Sequence, residues 1–249
     1  MNILALIPAR MGSSRFPGKP MAKILGIPMI EHVYNNVKKS PYLTITAVAT
    51  CDKEIYDHVK MIGGLAVMTS NIHERASDRC SEALLKIEKE YDLIFDIVVM
   101  VQGDEPMIHS EMIEEAIKPM IDDSSIKVVN LLGEIKSNSE FEDRNCIKVV
   151  CDLNSDAMFF SREPIPTRFK TKKIPFGKQV CIIPFRRDYL IEYTKLKPTP
   201  LEIIESIDML RILEHGMKVK MVLTKHDSYA VDTPEDLKKV QKLMENLEN

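Results

Sequence analysis

An α/β fold built on a doubly wound sheet is what this sequence predicts, and three observations predict it. Short apolar runs, Ile3 to Pro8 and Asp96 to Val101, suit strands buried on both faces of a parallel sheet. Segments of helical spacing alternate with such runs through the first half of the chain. A hydrophobic fraction of 45% over 249 residues can bury a sizeable core, which excludes a disordered chain.

In order, Ile3 to Pro8 is the first strand and ends in a glycine-bearing loop. A helix is predicted from Met29 to Lys39, a strand from Thr44 to Thr50, and a helix from Lys53 to Ile62 stopped by Gly63-Gly64. Leu65 to Met68 reads as a strand. Asp78 to Glu90 reads as a helix, with Cys80, Ala83, Leu84 and Ile87 at helical spacing. The strand Asp96 to Val101 leads through Gln102-Gly103-Asp104-Glu105-Pro106 to a helix from Ser110 to Met120. The chain then changes character. Lys127 to Leu132, Ile147 to Cys151, Ala157 to Ser161 and Val180 to Phe185 read as strands without regular helices between them, so a small mixed-sheet lobe is expected. The polar, proline-bearing stretch Glu163 to Lys178 reads as a mobile loop. Helices from Arg187 to Lys195 and from Leu201 to Glu214, a strand from Lys218 to Leu223 and a helix from Pro234 to Asn249 complete the chain. The whole reads as Rossmann-like.

Charge and cysteine usage narrow the function classes. With 34 Lys plus Arg against 37 Asp plus Glu, the net charge of -3 offers no basic field for nucleic acid. The lysines within Lys170 to Lys173 read as a solvated loop. Five cysteines, at Cys51, Cys80, Cys146, Cys151 and Cys181, form no CxxC, so neither a disulfide framework nor a cysteine-rich zinc site is expected. His32, His58, His215 and His226 lack metal-ligand spacing, and only His73 lies in a loop of interest. The opening Met-Asn-Ile-Leu-Ala-Leu-Ile-Pro has no basic n-region, and no apolar run approaches the roughly 20 residues of a spanning helix. A cytoplasmic protein with no membrane partner is expected.

Three segments carry candidate chemistry. The loop Pro8-Ala9-Arg10-Met11-Gly12-Ser13-Ser14-Arg15-Phe16-Pro17-Gly18-Lys19-Pro20 joins three cations, two glycines and two serines just past a strand's C-terminal end. Ligands of open α/β sheets bind there, glycines let backbone N–H groups approach an anion, and Arg and Lys add charge-assisted bonds. Polyphosphate fits this chemistry, although neither GxxxxGK[ST] nor GxGxxG is present. In the second segment, Asp104 follows the buried strand, where it is placed either to hold Mg²⁺ or simply to form a Gly-Asp turn. In the third, Val231-Asp232-Thr233-Pro234-Glu235-Asp236, helix capping accounts for Thr233, Pro234 and Asp236 but not for Asp232, a possible second metal ligand.

Together these segments resemble 3-deoxy-manno-octulosonate cytidylyltransferase, the CMP-Kdo synthetase family. The resemblance rests on Ile7-Pro8-Ala9-Arg10 through Pro17-Gly18-Lys19-Pro20, Gly26-Ile27-Pro28-Met29-Ile30, Val101-Gln102-Gly103-Asp104-Glu105-Pro106 and Asn145-Cys146-Ile147-Lys148-Val149-Val150. It continues through Ser161-Arg162, Leu201-Glu202 with Glu205, Leu210-Arg211, and Val231-Asp232-Thr233-Pro234-Glu235-Asp236-Leu237. It implies one nucleotidyltransferase domain over residues 1–249, with an inserted lobe at about 133–200 for acceptor binding and homodimer formation. It also implies a Mg²⁺-dependent transfer of CMP from CTP to a small acidic acceptor, Kdo or a related 2-keto-3-deoxy sugar acid, with release of pyrophosphate.

Carried over by motif, Arg10, Lys19 and Asp104 would be catalytic. Pro8, Ala9, Arg10, Gly12, Ser13, Lys19, Ala76, Ser77, Arg79 and Asp104 would bind nucleotide, and Asp104 and Asp232 would hold Mg²⁺. Arg15, Gln102, Arg162, Gln179, Ile183, Glu205, Asp208 and Met209 would line the acceptor side, with Arg15 also joining Arg10 and Lys19 in holding phosphates. That side departs from the family pattern. Gln179 replaces a histidine, Ile183 a tyrosine, and Asp208-Met209 a Glu-Gln pair, while Ala76-Ser77-Asp78-Arg79 replaces Gly-Thr-Glu/Asp-Arg. A different acid (nonulosonic, phosphate or phosphonate) or a non-catalytic nucleotide-binding homologue are the alternatives this leaves.

Overall fold

The structure, a computed structural model, describes residues 1–12, 15–170 and 177–248. Two compact units divide the chain: Met1–Glu114 with Ser228–Asn249, and Glu115–Asp227. The second unit encloses residues 133–200.

In the first unit β1 (Ile3–Ala9) leads into a loop and a 3-10 turn, Lys19–Met21. A two-stranded hairpin follows, β2 (Lys23–Ile24) and β3 (Ile27–Pro28), then α1 (Met29–Lys38). Next come β4 (Ile45–Thr50), α2 (Lys53–Met61), β5 (Leu65–Met68), α3 (Ala76–Tyr91) and β6 (Ile97–Val101), and α4 (Ser110–Asp122) carries the chain from the first unit into the second. The strands run parallel in the order β6-β1-β4-β5. Leu4 to Ile7 and Ile97 to Val101 are buried, as strands covered on both faces must be. Each helix turns one apolar stripe inward, for example Met29, Ile30, Val33, Tyr34 and Val37 on α1.

The order of these strands positions a site. From β1 the chain moves outward to β4 and β5, then returns to β6 on the other side of β1. The connections leaving β1 and β6 therefore diverge at their C-terminal ends and open a crevice where ligands of such sheets bind.

The second unit holds β7 (Val129–Glu134), α5 (Asn138–Glu142), β8 (Lys148–Cys151), β9 (Ala157–Ser161), β10 (Gly177–Val180) and β11 (Ile182–Arg186). It continues through α6 (Arg187–Tyr193), α7 (Pro200–Glu205), α8 (Asp208–Glu214) and β12 (Lys220–Leu223). The chain then returns to the first unit as α9 (Pro234–Glu248). The sheet β12-β7-β10-β8-β9 is mixed: β12 and β7 are parallel and the other neighbours antiparallel.

The β2–β3 hairpin and α5 lie outside the sequence reading, β10 begins at Gly177 within the expected loop Glu163 to Lys178, whose residues 171–176 lie outside the described residues, and two further elements differ from the expectation. The strand expected over Val180 to Phe185 is two strands parted at Cys181. Buried Asn130 donates Nδ2 to the Val180 carbonyl at 2.7 Å, which takes that acceptor out of a continuing ladder. β11 instead bridges Phe185 to Val128. The helix expected over Leu201 to Glu214 breaks at Ser206, which adopts a left-handed φ of 55°, with its N–H and that of Ile207 closing on the Glu202 carbonyl. A buried bidentate pair spans the break, Arg211 Nε and Nη2 each 2.7 Å from Glu202.

Candidate functional site

Lys19 is the centre of the site. Gly18, left-handed at φ 73°, turns the chain into the one-turn helix that begins with Lys19. The Lys19 ammonium lies 2.7 Å from Asp104 Oδ2 and 3.3 Å from Asp232 Oδ1. Arg15 Nη2 reaches the same Asp232 oxygen at 2.9 Å. The Lys19, Asp104 and Asp232 side chains are only 13%, 18% and 17% exposed. Burial pulls the Lys19 pKa down, but attraction to Asp104 and the hydrogen bond to it, followed by the same two effects from Asp232, hold it above its ordinary value. The lysine is a fixed cation between two carboxylates from distant parts of the sequence.

Each carboxylate has a structural reason to be there. Asp104 leaves the end of β6 through Gly103, where a Cβ would stand 3.3 Å from the Pro8 carbonyl and from Ile30 Cδ1. Any side chain at Gly103 would press on the end of β1. The Val231 N–H donates to the Asp104 carbonyl at 2.9 Å, so the two acidic segments are bonded through their backbones. Ser228 Oγ donates to buried Glu105 nearby. Phe16, Ile24 and Met29 pack with Tyr229, Val231, Leu237 and Val240 in a small apolar cluster, which joins the basic loop to α9. Thr233 and Asp236 cap α9 as expected: Asp236 Oδ2 accepts from the Thr233 N–H and Oγ1, and also from the Asp232 N–H.

Along the rest of the loop, Pro8 and Ala9 end β1, Ala9 is buried and Arg10 is exposed. A Cβ on Gly12 would meet nothing within 4 Å. Ser13 lies outside the described residues. Gln102 is partly buried beside Gly103. Ala76 and buried Ser77 open α3. Arg79 is buried, and its guanidinium donates to Thr69 Oγ1 at 2.5 Å, to the Ser70 carbonyl at 3.2 Å and to the His73 carbonyl at 3.3 Å.

The remaining expected residues belong to the second unit. The Arg162 guanidinium donates to the backbone carbonyls of Glu205 at 2.7 Å, Arg144 at 3.0 Å and Ser206 at 3.4 Å. Glu205 accepts from Ser161 Oγ and from the Arg162 N–H. Gln179 Nε2 donates to Asn130 Oδ1 at 2.7 Å. Ile183 and Met209 are buried, and the Asp208 carbonyl accepts from Tyr193 Oη. Lys148 is fully buried, with its ammonium among the carbonyls of Asp143, Cys146 and Arg162 at 2.6 to 2.7 Å. Burial pulls its pKa down.

Sequence reasoning misses Asp52. Its Oδ2 accepts the Met11 N–H at 2.8 Å, which pins the entrance of the basic loop to the end of β4. The one available signal is a carboxylate just past a strand's C-terminal end, the pattern seen at Asp104. No group of three or more His, Cys, Asp or Glu residues suited to a metal occurs among the described residues. What converges is two carboxylates and two cations.

Comparisons with known proteins give the chain its family. Residues 4–219 match the family model described as cytidylyltransferase. A 3-deoxy-manno-octulosonate cytidylyltransferase of Geobacter metallireducens is 41% identical over 96% of each chain. One of Geotalea uraniireducens is 41% identical over 96% of this chain and 98% of its own. A CMP:2-keto-3-deoxy-manno-octonic acid synthetase solved in complex with CTP superposes with a TM-score of 0.89 at 36% identity, covering 99% of both chains. With its doubly wound nucleotidyltransferase fold, its basic loop and its paired carboxylates, the chain belongs to the 3-deoxy-manno-octulosonate cytidylyltransferase family of nucleotidyltransferases.

Proposed function

We propose that this enzyme transfers CMP from CTP to the anomeric hydroxyl of Kdo or a closely related 2-keto-3-deoxy sugar acid, with Mg²⁺, and releases pyrophosphate. The observation that carries the proposal is Lys19 held between Asp104 and Asp232 beside the ends of β1 and β6. The relatives named above support CTP and Kdo as the substrates.

The residues suit Mg²⁺, a hard cation that takes one or two carboxylates and completes its shell with water and substrate phosphates. Two oxygen donors already share one cation here, within 3.3 Å of Lys19 Nζ. Asp104 and Asp232 would hold the metal, which would neutralise charge on the triphosphate. The protein does the rest by position and charge. Arg10, Arg15 and Lys19 supply cations to the phosphates, and Gly12 leaves room for close backbone approach. The acceptor oxygen bonds to the α-phosphorus as the bond from that phosphorus to the β-phosphate bridging oxygen breaks. Pyrophosphate carries away the electron pair, and the hydroxyl proton passes to solvent. We further place the enzyme in the cytoplasm as a homodimer formed through residues 133–200. No helix among the described residues is long and apolar enough to cross a membrane.

A second reading, the same chemistry on a less hydroxylated acid, is favoured by one feature. Gln179 is spent on Asn130 and Ile183 is buried, which leaves few polar groups for sugar hydroxyls. Pyrophosphate release with CTP and Mg²⁺ across Kdo, 8-amino-Kdo, nonulosonic acids, phosphonates and phosphates decides between them. Strong release with Kdo supports the first reading. Release only with 8-amino-Kdo also supports the first, and release only with a phosphate or phosphonate selects the second. Release only with a nonulosonic acid refutes both acceptor assignments, and silence with every acid refutes the chemistry as well.

A further inference from the structure

Helix α3 carries a charged stripe that the mechanism above does not use. Arg79, Glu82 and Lys86 share one face, and all three grip the segment that joins β5 to α3. Glu82 Oε2 accepts the Ser70 N–H at 3.0 Å and the His73 ring Nε2. Its Oε1 pairs with Lys86 at 2.7 Å, and Lys86 also donates to the Met68 carbonyl at 2.7 Å. Arg79 takes the carbonyls of Ser70 and His73. The donor side of this turn is thus held by Glu82 and the acceptor side by Arg79 and Lys86. Burial raises the Glu82 pKa, but the Lys86 hydrogen bond, the Ser70 N–H, the His73 contact and the Lys86 charge together bring it down to about 2. The carboxylate is therefore ionised, and a strong acceptor, throughout any assay near neutral pH.

The turn leaves the C-terminal end of β5, at the same edge of the parallel sheet as the ends of β1 and β6. In the proposed reaction, on which this inference rests, that edge receives CTP. We infer that Glu82 is a positioning residue: it shapes the Ser70–His73 turn into a wall of the nucleotide site and sets affinity for CTP without touching the reacting atoms.

Steady-state kinetics of Glu82→Ala and Glu82→Gln, with amide hydrogen exchange at Ser70–His73, test this. In Glu82→Ala the Ser70 N–H loses its partner and the turn retains only its carbonyl-side bonds. The KM for CTP should rise by about 10-fold, the effect of losing charge-assisted bonds in a loop. The kcat should stay within about twofold, as expected when uniform binding is lost. Exchange at Ser70–His73 should accelerate while β1 and β6 keep their protection. Glu82→Gln keeps one acceptor for Ser70 and should fall between wild type and Glu82→Ala, and it remains informative if the alanine variant fails to fold. A purely structural role would lower the melting midpoint and leave the KM unmoved. Unchanged KM for CTP in both variants, or unchanged exchange at the turn, overturns the assignment alone when the wild type releases pyrophosphate from CTP. A wild type that releases none overturns the assignment together with the proposed reaction.

Discussion

Replacing Lys19 with methionine keeps the length of the side chain and removes its charge. Asp104 and Asp232 are then left facing the same point with Arg15, itself about half exposed, as the one ion-pair partner among the described residues. Exposed ion pairs contribute about 0–1 kcal/mol, and breaking a fully buried one costs about 3–5 kcal/mol. Side chains 13–18% exposed lie between these cases, so a loss of about 2 kcal/mol is expected. For a chain of this size that corresponds to a fall of about 4–8 °C in melting midpoint. Two carboxylates without their ammonium form a better site for a dication. Mn²⁺ added without nucleotide should therefore raise the midpoint of Lys19→Met more than that of the wild type. Catalysis responds in the opposite direction, because the phosphates lose a fixed cation. The kcat/KM should fall by about 100- to 1000-fold, roughly 3–4 kcal/mol of transition-state stabilisation. Scanning calorimetry with and without Mn²⁺, alongside pyrophosphate release, reads all three quantities. A variant of wild-type stability with no larger response to Mn²⁺ would refute both the pairing and the assignment of these carboxylates to the metal.

Two further predictions concern stability. Glu202→Gln leaves Arg211 buried without its bidentate partner and should cost about 3–5 kcal/mol; a denaturation free energy within about 1 kcal/mol of wild type would show that Tyr193, 4.8 Å from the guanidinium, and the Leu196 carbonyl suffice. Glu82 titrates at about 2 in the folded chain against an ordinary 4.5, so its stabilisation is complete above pH 4.5 and is lost as the pH falls towards 2. The whole interval would correspond to about 3 kcal/mol, and solvent screening at a side chain 25% exposed reduces it to about 1 kcal/mol. Glu82→Gln should flatten that part of the acid-denaturation curve; a curve parallel to wild type between pH 4.5 and 2 would exclude the effect.

The parts of this protein legible in its sequence are those where local chemistry has no rival explanation. The apolar runs of β1 and β6 are too short for helices and too continuous for one-sided strands, so burial in a parallel sheet is the consistent reading. Asp232 stands out because capping accounts for Thr233, Pro234 and Asp236 and leaves it unexplained, and the structure places it on Lys19. Elements whose form depends on a distant partner are not legible. Nothing local marks Cys181 as a strand break, since the cause is the side chain of Asn130 some fifty residues earlier. Ser206 interrupts a good helical pattern because a serine in left-handed conformation is tolerated there, a choice that composition does not announce. Lys148 falls within the expected strand Ile147 to Cys151, and nothing local shows that it is buried, with three carbonyls meeting its ammonium.

The same distinction runs through the site itself. Groups proposed to meet phosphate or metal present charge at strand ends, where hydropathy gives no reason for charge, so Arg10, Lys19 and Asp104 draw attention by residue type and position alone. Groups that hold the neighbouring loops need no such exposure. Asp52 passes for a helix-initiating residue, and Glu82 and Lys86 pass for the solvated face of α3, because spacing suited to holding a loop is also spacing suited to water, while Arg79 is singled out only by the family resemblance. Only the bonds they make distinguish the two, and each of them includes a bond to a backbone group: Met11 N–H for Asp52, Ser70 N–H for Glu82, the carbonyls of Ser70 and His73 for Arg79, and the Met68 carbonyl for Lys86. Backbone partners are supplied by any residue type. A positioning residue can therefore keep its role while the loop it holds changes sequence, and loop substitutions at Ser70 or Ile72 should disturb nucleotide affinity less than the loss of Glu82.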